Sequence, residues 1–398
     1  MTGDERSESA LEAELDLLLE ESSASAEQRA SCTFDGETAP FSQRLVLFGA
    51  GGLGRRTLRG LRALGIEPLA FSDNNPALWG KDVEGLRVLE PADAIARHGA
   101  DAAFVLTIWG SGSRDSMAER LRALRDRGCA RVTSFATLYW KHPAAFLPYW
   151  SVDLPRRVLA ARAPIRRAFA GWSDASSRRE FVAQLRWRLL LDFQALPPPV
   201  AHEIYFPEDL RRARPDELFV DCGAYDGDSL RTFLQRSGGV FQRVVAFEPD
   251  PRNWDALVAC VAALPEGLRS RIHLEKKAVG RRTGPVQFDA MGNTSSAAGA
   301  GELTVDCTTL DDALKGAPVT AIKMDIEGGE PDALFGAARL LRDRQPFLSI
   351  CSYHRQDHLW TIPLLITSAA SEYRLHLRPH GHDVWDLLTY AVSAEESR

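Results

Sequence analysis

The chain has 398 residues, is 45% hydrophobic and 26% charged, and carries a formal net charge of −6, the profile of a soluble protein of two or three domains. No apolar run approaches the ~18 residues that span a bilayer. The N-terminus has no basic segment followed by an apolar core, so the expected location is cytoplasmic. Six cysteines (32, 129, 222, 260, 307 and 351) include no Cys-x-x-Cys pair, which argues against a zinc cluster and a disulfide framework.

Residues 1–40 hold 11 Asp/Glu against 2 Arg. The acidity of the chain therefore resides in this segment, and the remainder is close to neutral. Leu11, Leu15, Leu18 and Leu19 could line one face of a helix. Otherwise the composition predicts a disordered acidic tail.

Residues 41–141 read as a small Rossmann-like domain. Arg44–Phe48 is a buried strand leading into Gly49-Ala50-Gly51-Gly52-Leu53-Gly54 and then a helix to about Leu64. Further strands are expected at Glu67–Phe71, Ala102–Trp109 and Arg131–Phe135, with a helix over about 114–126. The alternation implies a parallel sheet with helices on both faces. Gly49, Gly51 and Gly54 form Gly-x-Gly-x-x-Gly, with Asp73 19 residues beyond the last glycine. Such a turn holds a pyrophosphate on the helix end and a ribose on the acid. The segment resembles the Rossmann-like N-terminal domains attached to sugar-modifying enzymes. A nucleotide or nucleotide-sugar site, a structural or docking domain, and an NAD site all remain open, although no hydride-transfer partner is evident.

Residues 142–214 read as a helical linker. Nine arginines fall within 155–192, but Phe181, Leu185, Leu189 and Phe193 form an apolar stripe. The pattern predicts a packed helix with solvated arginines and no nucleic-acid partner. A clamp for an acidic substrate is the alternative.

Residues 215–398 show a second series of strands. They are expected at 218–222, 243–247, 272–275, 319–324, 347–352, 374–377 and 387–392. Helices are expected at about 252–264, 331–341 and 361–371, with an antiparallel insertion at 286–289 and 303–307. The first strand ends in Asp221-Cys222-Gly223-Ala224-Tyr225-Asp226-Gly227. The spacing Asp-x-Gly-x-x-x-Gly differs from that of a nicotinamide site and points to S-adenosylmethionine. Glu248 closes the next strand 27 residues after Asp221, where a carboxylate accepts ribose hydroxyls.

Downstream lie Lys323-Met324-Asp325-Ile326-Glu327-Gly328-Gly329-Glu330 and Tyr353-His354. With the glycine turn and Phe247-Glu248-Pro249, this ordered set resembles the FkbM family of S-adenosylmethionine-dependent methyltransferases. The resemblance covers roughly residues 215 to 392. It implies an α/β fold of two doubly wound sheets: the small Rossmann-like domain and a class I methyltransferase domain. S-adenosylmethionine is the implied cofactor, and the acceptor is a small molecule or glycan.

Gly223, Tyr225 and Gly227 bring backbone to the cofactor. Asp221 orients the turn or meets the cofactor ammonium. Ala278, with Val279, is implied to meet the adenine. The resemblance implies that Asp325 faces the methionine end and Glu327 the acceptor. His354 is the expected proton acceptor for O-methylation. His358, Arg378, His380 and His382 are candidates for acceptor recognition. Carboxylates also suit a divalent cation, but no full ligand set is evident and no metal is expected. Two other readings stay in view: an NAD(P)- or nucleotide-sugar-binding protein centred on the first sheet, and a non-catalytic binding module that retains the fold.

Overall fold

The structure is a computed structural model that describes residues 8–289, 297, 298, 301 and 303–393. The chain divides into two compact units. One comprises Met1–Arg162, Val182–Pro198 and Gly381–Trp385; the other comprises Ala163–Phe181, Pro199–His380 and Asp386–Arg398. The division differs from the expected boundaries, because residues 142–214 are shared out between the units and do not stand apart as a linker.

In the first unit the expected disordered tail is instead two helices, Glu8–Glu20 and Ser23–Thr38. Leu11, Leu15 and Leu19 repeat every four residues and are buried, as are Ala26, Ala30 and Phe34, giving each helix an apolar stripe. The side chain of Ser22 caps the second helix by accepting the Ser25 N–H. Partners from within the segment and from farther along the chain answer its acidity. Lys141 lies 2.5 Å from Asp35, and Arg29 lies 2.6 Å from Glu21.

The sheet of this unit contains β1 (Leu45–Phe48), β2 (Ala70–Ser72), β3 (Asp82–Val83), β4 (Leu86–Leu89), β5 (Ala103–Leu106) and β6 (Arg131–Ser134), in the order β3-β4-β2-β1-β5-β6. All neighbours are parallel except β3 and β4. The β3–β4 hairpin and the helix Pro91–His98 lack a long enough apolar pattern to be seen in sequence.

The basic stretch folds as helices Pro155–Ala160, Arg162–Ala170 and Ala175–Leu190. Phe181, Leu185, Leu189 and Phe193 are buried as their spacing predicts. Arg188 corrects the expectation of solvated arginines. It is buried too, and its guanidinium donates to the backbone carbonyl and side-chain oxygen of Gln184 at 3.1 and 2.6 Å.

The second unit is built on β7 (Leu218–Cys222), β8 (Arg243–Phe247), β9 (Ile272–Glu275), β10 (Ala278–Val279), β11 (Gly284–Asp289), β12 (Ala297–Ala298), β13 (Leu303–Thr308), β14 (Ala321–Met324), β15 (Phe347–Cys351), β16 (Arg374–Pro379) and β17 (Leu387–Val392). The main sheet has the order β16-β17-β15-β14-β7-β8-β9. It is parallel from β15 to β9, and β17 runs antiparallel to both β15 and β16. The strands from β7 to β15 that lie in the centre are near-continuous apolar runs, as a sheet covered on both faces requires. The insertion expected at 286–289 and 303–307 forms as the antiparallel pair β11–β13. The helix expected at 331–341 is two, Glu330–Phe335 and Ala338–Arg344. In this topology the strand order reverses beside β7, so the carboxyl ends of β7, β8 and β14 frame a crevice.

Candidate cofactor and acceptor site

Strand β7 ends and the chain turns at once through Gly223, whose φ is +80°. A Cβ on Gly223 would lie 2.0 Å from the Asp325 carbonyl oxygen, so no other residue fits between β7 and β14. Tyr225 follows at φ +48°. The helix Asp228–Arg236 then begins, with Gly227 at its N-cap. Its first residue, Asp228, lines the cavity described below and caps the Ser229 N–H with its own carboxylate at 2.7 Å.

Glu248, at the end of β8, is buried. Its two carboxylate oxygens accept the N–H groups of Tyr225 and Asp250, each at 2.9 Å. Burial pushes its carboxyl up to about 7, against the pull of these two donors. A cavity opens here, with about 690 Å³ of empty space including the solvent at its mouth, lined by Gly223, Tyr225, Asp228, Glu248, Asn253 and Ala278, and also by Tyr205, Phe288, Lys323, Asp325 and Glu327.

Asp221 does not line this cavity. It is fully buried, 3.1 Å from the Lys323 ammonium, and accepts the Ser229 hydroxyl. Through Ser229 it ties the end of β7 to the start of the helix after the glycine turn. Asp228 takes the exposed place on the cavity wall. Lys323 donates to the Gly223 carbonyl. Burial works against its charge, but Asp221, Asp325 and Asp228 outweigh it and hold the pKa above the ordinary lysine value.

At the end of β14, Asp325 accepts the Tyr205 hydroxyl at 2.7 Å and lies 3.2 Å from His354 Nε2. Burial opposes its charge, yet His354, Lys323 and Tyr205 together hold its pKa below the usual carboxylate range. Glu327 sits in left-handed backbone (φ +57°), with Oε2 3.6 Å from His354 Nε2. Burial, with the charges of Asp325 and Glu330, pushes its carboxyl up to about 8, although His354 pulls the other way.

His354 is behind these acids, outside the cavity lining. Its Nδ1 lies 2.8 Å from Glu330 Oε1, so both ring nitrogens face carboxylates. Burial favours the neutral ring, but Glu330, Asp325 and Glu327 prevail and its pKa lies well above the ordinary value. His354 thus stands outside the cavity lining with a carboxylate against each ring nitrogen. Two groups, Asp325/Glu327/His354 and Glu330/His354/His358, each bring three ligand atoms within 4.8 Å.

The other acceptor candidates fall elsewhere. His358 lies 3.4 Å from Glu330, Arg378 binds Asp174 at 2.8 Å, and His380 meets the Tyr390 hydroxyl at 2.7 Å. His382 belongs to the first unit. Sequence reading missed Asp228 and Asn253 as lining residues, though both follow recognised motif ends. Tyr205 gave no signal, since it stands in an aperiodic loop before β7.

In the first unit the glycine turn is built as the spacing predicts. Asp73 accepts the Ala50 N–H at 2.7 Å and the Asn75 N–H at 2.8 Å. A Cβ on Gly54 would lie 1.9 Å from the Gly49 carbonyl oxygen, whereas one on Gly51 would meet nothing within 4 Å.

Comparison with known proteins agrees with this geometry. The family pattern described as methyltransferase FkbM domain matches residues 221–390. The chain is similar to the crystal structure of methyltransferase FkbM from Methylobacillus flagellatus KT, with a TM-score of 0.76, 24% identity, and coverage of 96% of this chain and 98% of that one. That likeness extends the shared fold over both units. An rRNA methylase from Streptococcus thermophilus matches at a TM-score of 0.28 and 13% identity, over 46% of this chain and 90% of that one. Fibrillarin from Aeropyrum pernix in complex with S-adenosyl-L-methionine matches at 0.29 and 10%, over 45% and 69%. No curated protein matches the chain. Among the described residues no helix is long and apolar enough to cross a membrane. Residues 221–390, which hold the glycine turn, Glu248 and the acids at the end of β14, are the part of the chain that matches the methyltransferase FkbM domain.

Proposed function

We propose that the second unit binds S-adenosylmethionine in the cavity at the carboxyl ends of β7, β8 and β14. Its methyl group would pass to a hydroxyl of a sugar, glycan precursor or secondary metabolite. The observation that carries this reading is Glu248, a buried carboxylate on the cavity wall that is tied to the glycine turn through the Tyr225 N–H. A carboxylate accepts about four hydrogen bonds, and two backbone donors leave room for a ribose diol. Four acids on the lining (Asp228, Glu248, Asp325 and Glu327) against Lys323 suit a ligand bearing positive charge.

The cofactor, when bound, supplies an activated methyl group on a sulfonium centre. The protein's residues have the remaining tasks. Asp325, held from both sides, presents a fixed negative charge at the methionine end. Glu327, on the wall and with its carboxyl pushed up to about 8, is the group suited to receive the acceptor's proton. His354 and Glu330 hold these acids in place from behind. Alignment in a crevice screened from water contributes the rest of the acceleration. The sugar-linked acceptor rests on the analogy of domain pairing. The six unpaired cysteines suit a reducing compartment such as the cytoplasm.

Calorimetric titration with S-adenosylhomocysteine tests the reading. Micromolar binding that is lost in Glu248→Ala is the expected result. Absence of binding to the wild-type protein would remove the methyltransferase reading as an activity of this chain alone.

A second reading concerns the first unit, where the Asp73 carboxylate grips the Ala50 N–H just as Glu248 grips Tyr225. This favours a nucleotide or nucleotide-sugar at Gly49, Gly51, Gly54 and Asp73.

A further inference from the structure

We infer that Tyr205, which precedes the family-matched segment, is a positioning residue of the cofactor site that fixes the Asp325 carboxylate toward the cavity. The inference rests on the reading of that cavity as the S-adenosylmethionine site.

Tyr205 is 16 residues upstream of the first matched residue, Asp221, yet it lines the same cavity. Its hydroxyl donates to Asp325 Oδ2 at 2.7 Å, while His354 Nε2 lies 3.2 Å from Oδ1. One oxygen of Asp325 is thus engaged by the loop before β7 and the other by the residue that follows β15. A carboxylate gripped at both oxygens from different parts of the chain keeps one rotamer. Without the phenol, Asp325 retains partners at Oδ1 alone: His354 and, at 3.5 Å, the Tyr353 hydroxyl.

The loop is itself built to present this side chain. Tyr205 occupies left-handed backbone, φ +69°, a conformation that tyrosine adopts only when its surroundings impose it. Its carbonyl accepts the Ser349 hydroxyl on β15 at 2.7 Å. The neighbouring Phe206 ring lies 5.5 Å from Phe219 and 6.0 Å from Phe233. The Lys323 ammonium lies 5.2 Å from the centre of the Tyr205 ring, a favourable cation–π distance. One side chain therefore reaches both Lys323 on β14 and Asp325 just after it.

The competing view is that the phenol only ties residues 199–215 to the sheet. Ser349 separates the two, because Ser349→Ala breaks another tie of the same residue without touching Asp325. The experiment is calorimetric titration of S-adenosylhomocysteine into the full-length wild-type protein, Tyr205→Phe, Ser349→Ala, Asp325→Asn and the Tyr205→Phe/Asp325→Asn double variant, with a melting curve for each. Tyr205→Phe keeps the ring and should weaken binding roughly tenfold, the size of one hydrogen bond to a charged group. Ser349→Ala should leave affinity within about twofold. The double variant should bind no more weakly than Asp325→Asn, because the phenol acts through that carboxylate. Equal affinity in Tyr205→Phe and wild type overturns the inference and leaves the cofactor site standing. Equal losses in Tyr205→Phe and Ser349→Ala overturn it in favour of a structural tie. If the wild-type protein binds no S-adenosylhomocysteine, the site reading falls and the inference with it.

Discussion

Glu330 Oε1 and His354 Nδ1 lie 2.8 Å apart, and both residues are closed off from solvent. The Glu330 carboxylate also accepts the N–H groups of Ile326 and Gly328, at 2.9 and 3.1 Å. It therefore organises the turn after β14 as well as the ring behind the active acids. Glu330→Gln leaves the imidazolium facing one carboxylate fewer in a buried place. The expected cost is about 3 kcal/mol of unfolding free energy, read from urea denaturation at pH 7. A loss below about 1 kcal/mol would show that the pair does not carry the turn.

Glu327 is the proposed proton acceptor. Only its ionised form can take a proton, and its carboxyl is pushed up to about 8. Methyl transfer at saturating cofactor should rise with pH and level off above about 8. Glu327→Gln should lower kcat by about a hundredfold or more while S-adenosylhomocysteine affinity stays nearly unchanged. A full-rate Glu327→Gln variant would assign the proton elsewhere.

Cofactor affinity should carry its own pH dependence through Glu248. Ribose hydroxyls donate to the ionised carboxylate, so binding favours proton release from a group near 7 in the free protein. Affinity for S-adenosylhomocysteine should fall as pH drops from 8 to 6. Calorimetry in buffers of different ionisation enthalpy should register a released proton at pH 7. A flat profile would mean that Glu248 does not meet the ligand.

Ligand-free stability gives a check with the opposite pH trend. Both Glu248 and Glu327 have raised values, about 7 and about 8, against 4.5 unfolded. The native state binds more protons between those limits, so the contribution of these two acids falls as pH rises from about 4.5 to about 8. The slope of Tm against pH in that window should become more positive in a Glu248→Gln/Glu327→Gln double variant. An unchanged slope would place the raised values in doubt.

The glycine turn of the first unit separates packing from binding. Gly54→Ala forces a Cβ against the Gly49 carbonyl and should cost about 3 kcal/mol. Gly51→Ala meets nothing and should change stability by no more than about 0.5 kcal/mol. If a nucleotide lies on this turn, Gly51→Val should abolish its binding in titrations with NAD, NADP and a UDP-sugar. No binding of any of the three to the wild-type protein would leave the turn a structural one.

The sequence by itself determined the two mainly parallel sheets and the glycine turns and acids at the ends of their strands. Buried strands are apolar runs that end abruptly in glycine or acid, and the turn at Gly223 and the acid at Glu248 follow from local pattern alone. Residues 8–38 fold as helices because partners distant in sequence, which composition does not count, hold them: Lys141 pairs with Asp35, and Arg162 donates to the Leu19 carbonyl at 2.6 Å. Only the tertiary structure decided the roles within the acid cluster. Spacing places Asp325, Glu327, Glu330 and His354 in one neighbourhood, but it cannot say which faces the cavity and which lies behind. Burial decides that: His354 lies outside the lining between Asp325 and Glu330, and Asp325 and Glu327 stand on the wall. Tyr205 reaches this wall from outside the recognisable motif, because a hydrogen bond depends on closeness in space and leaves no period in the sequence.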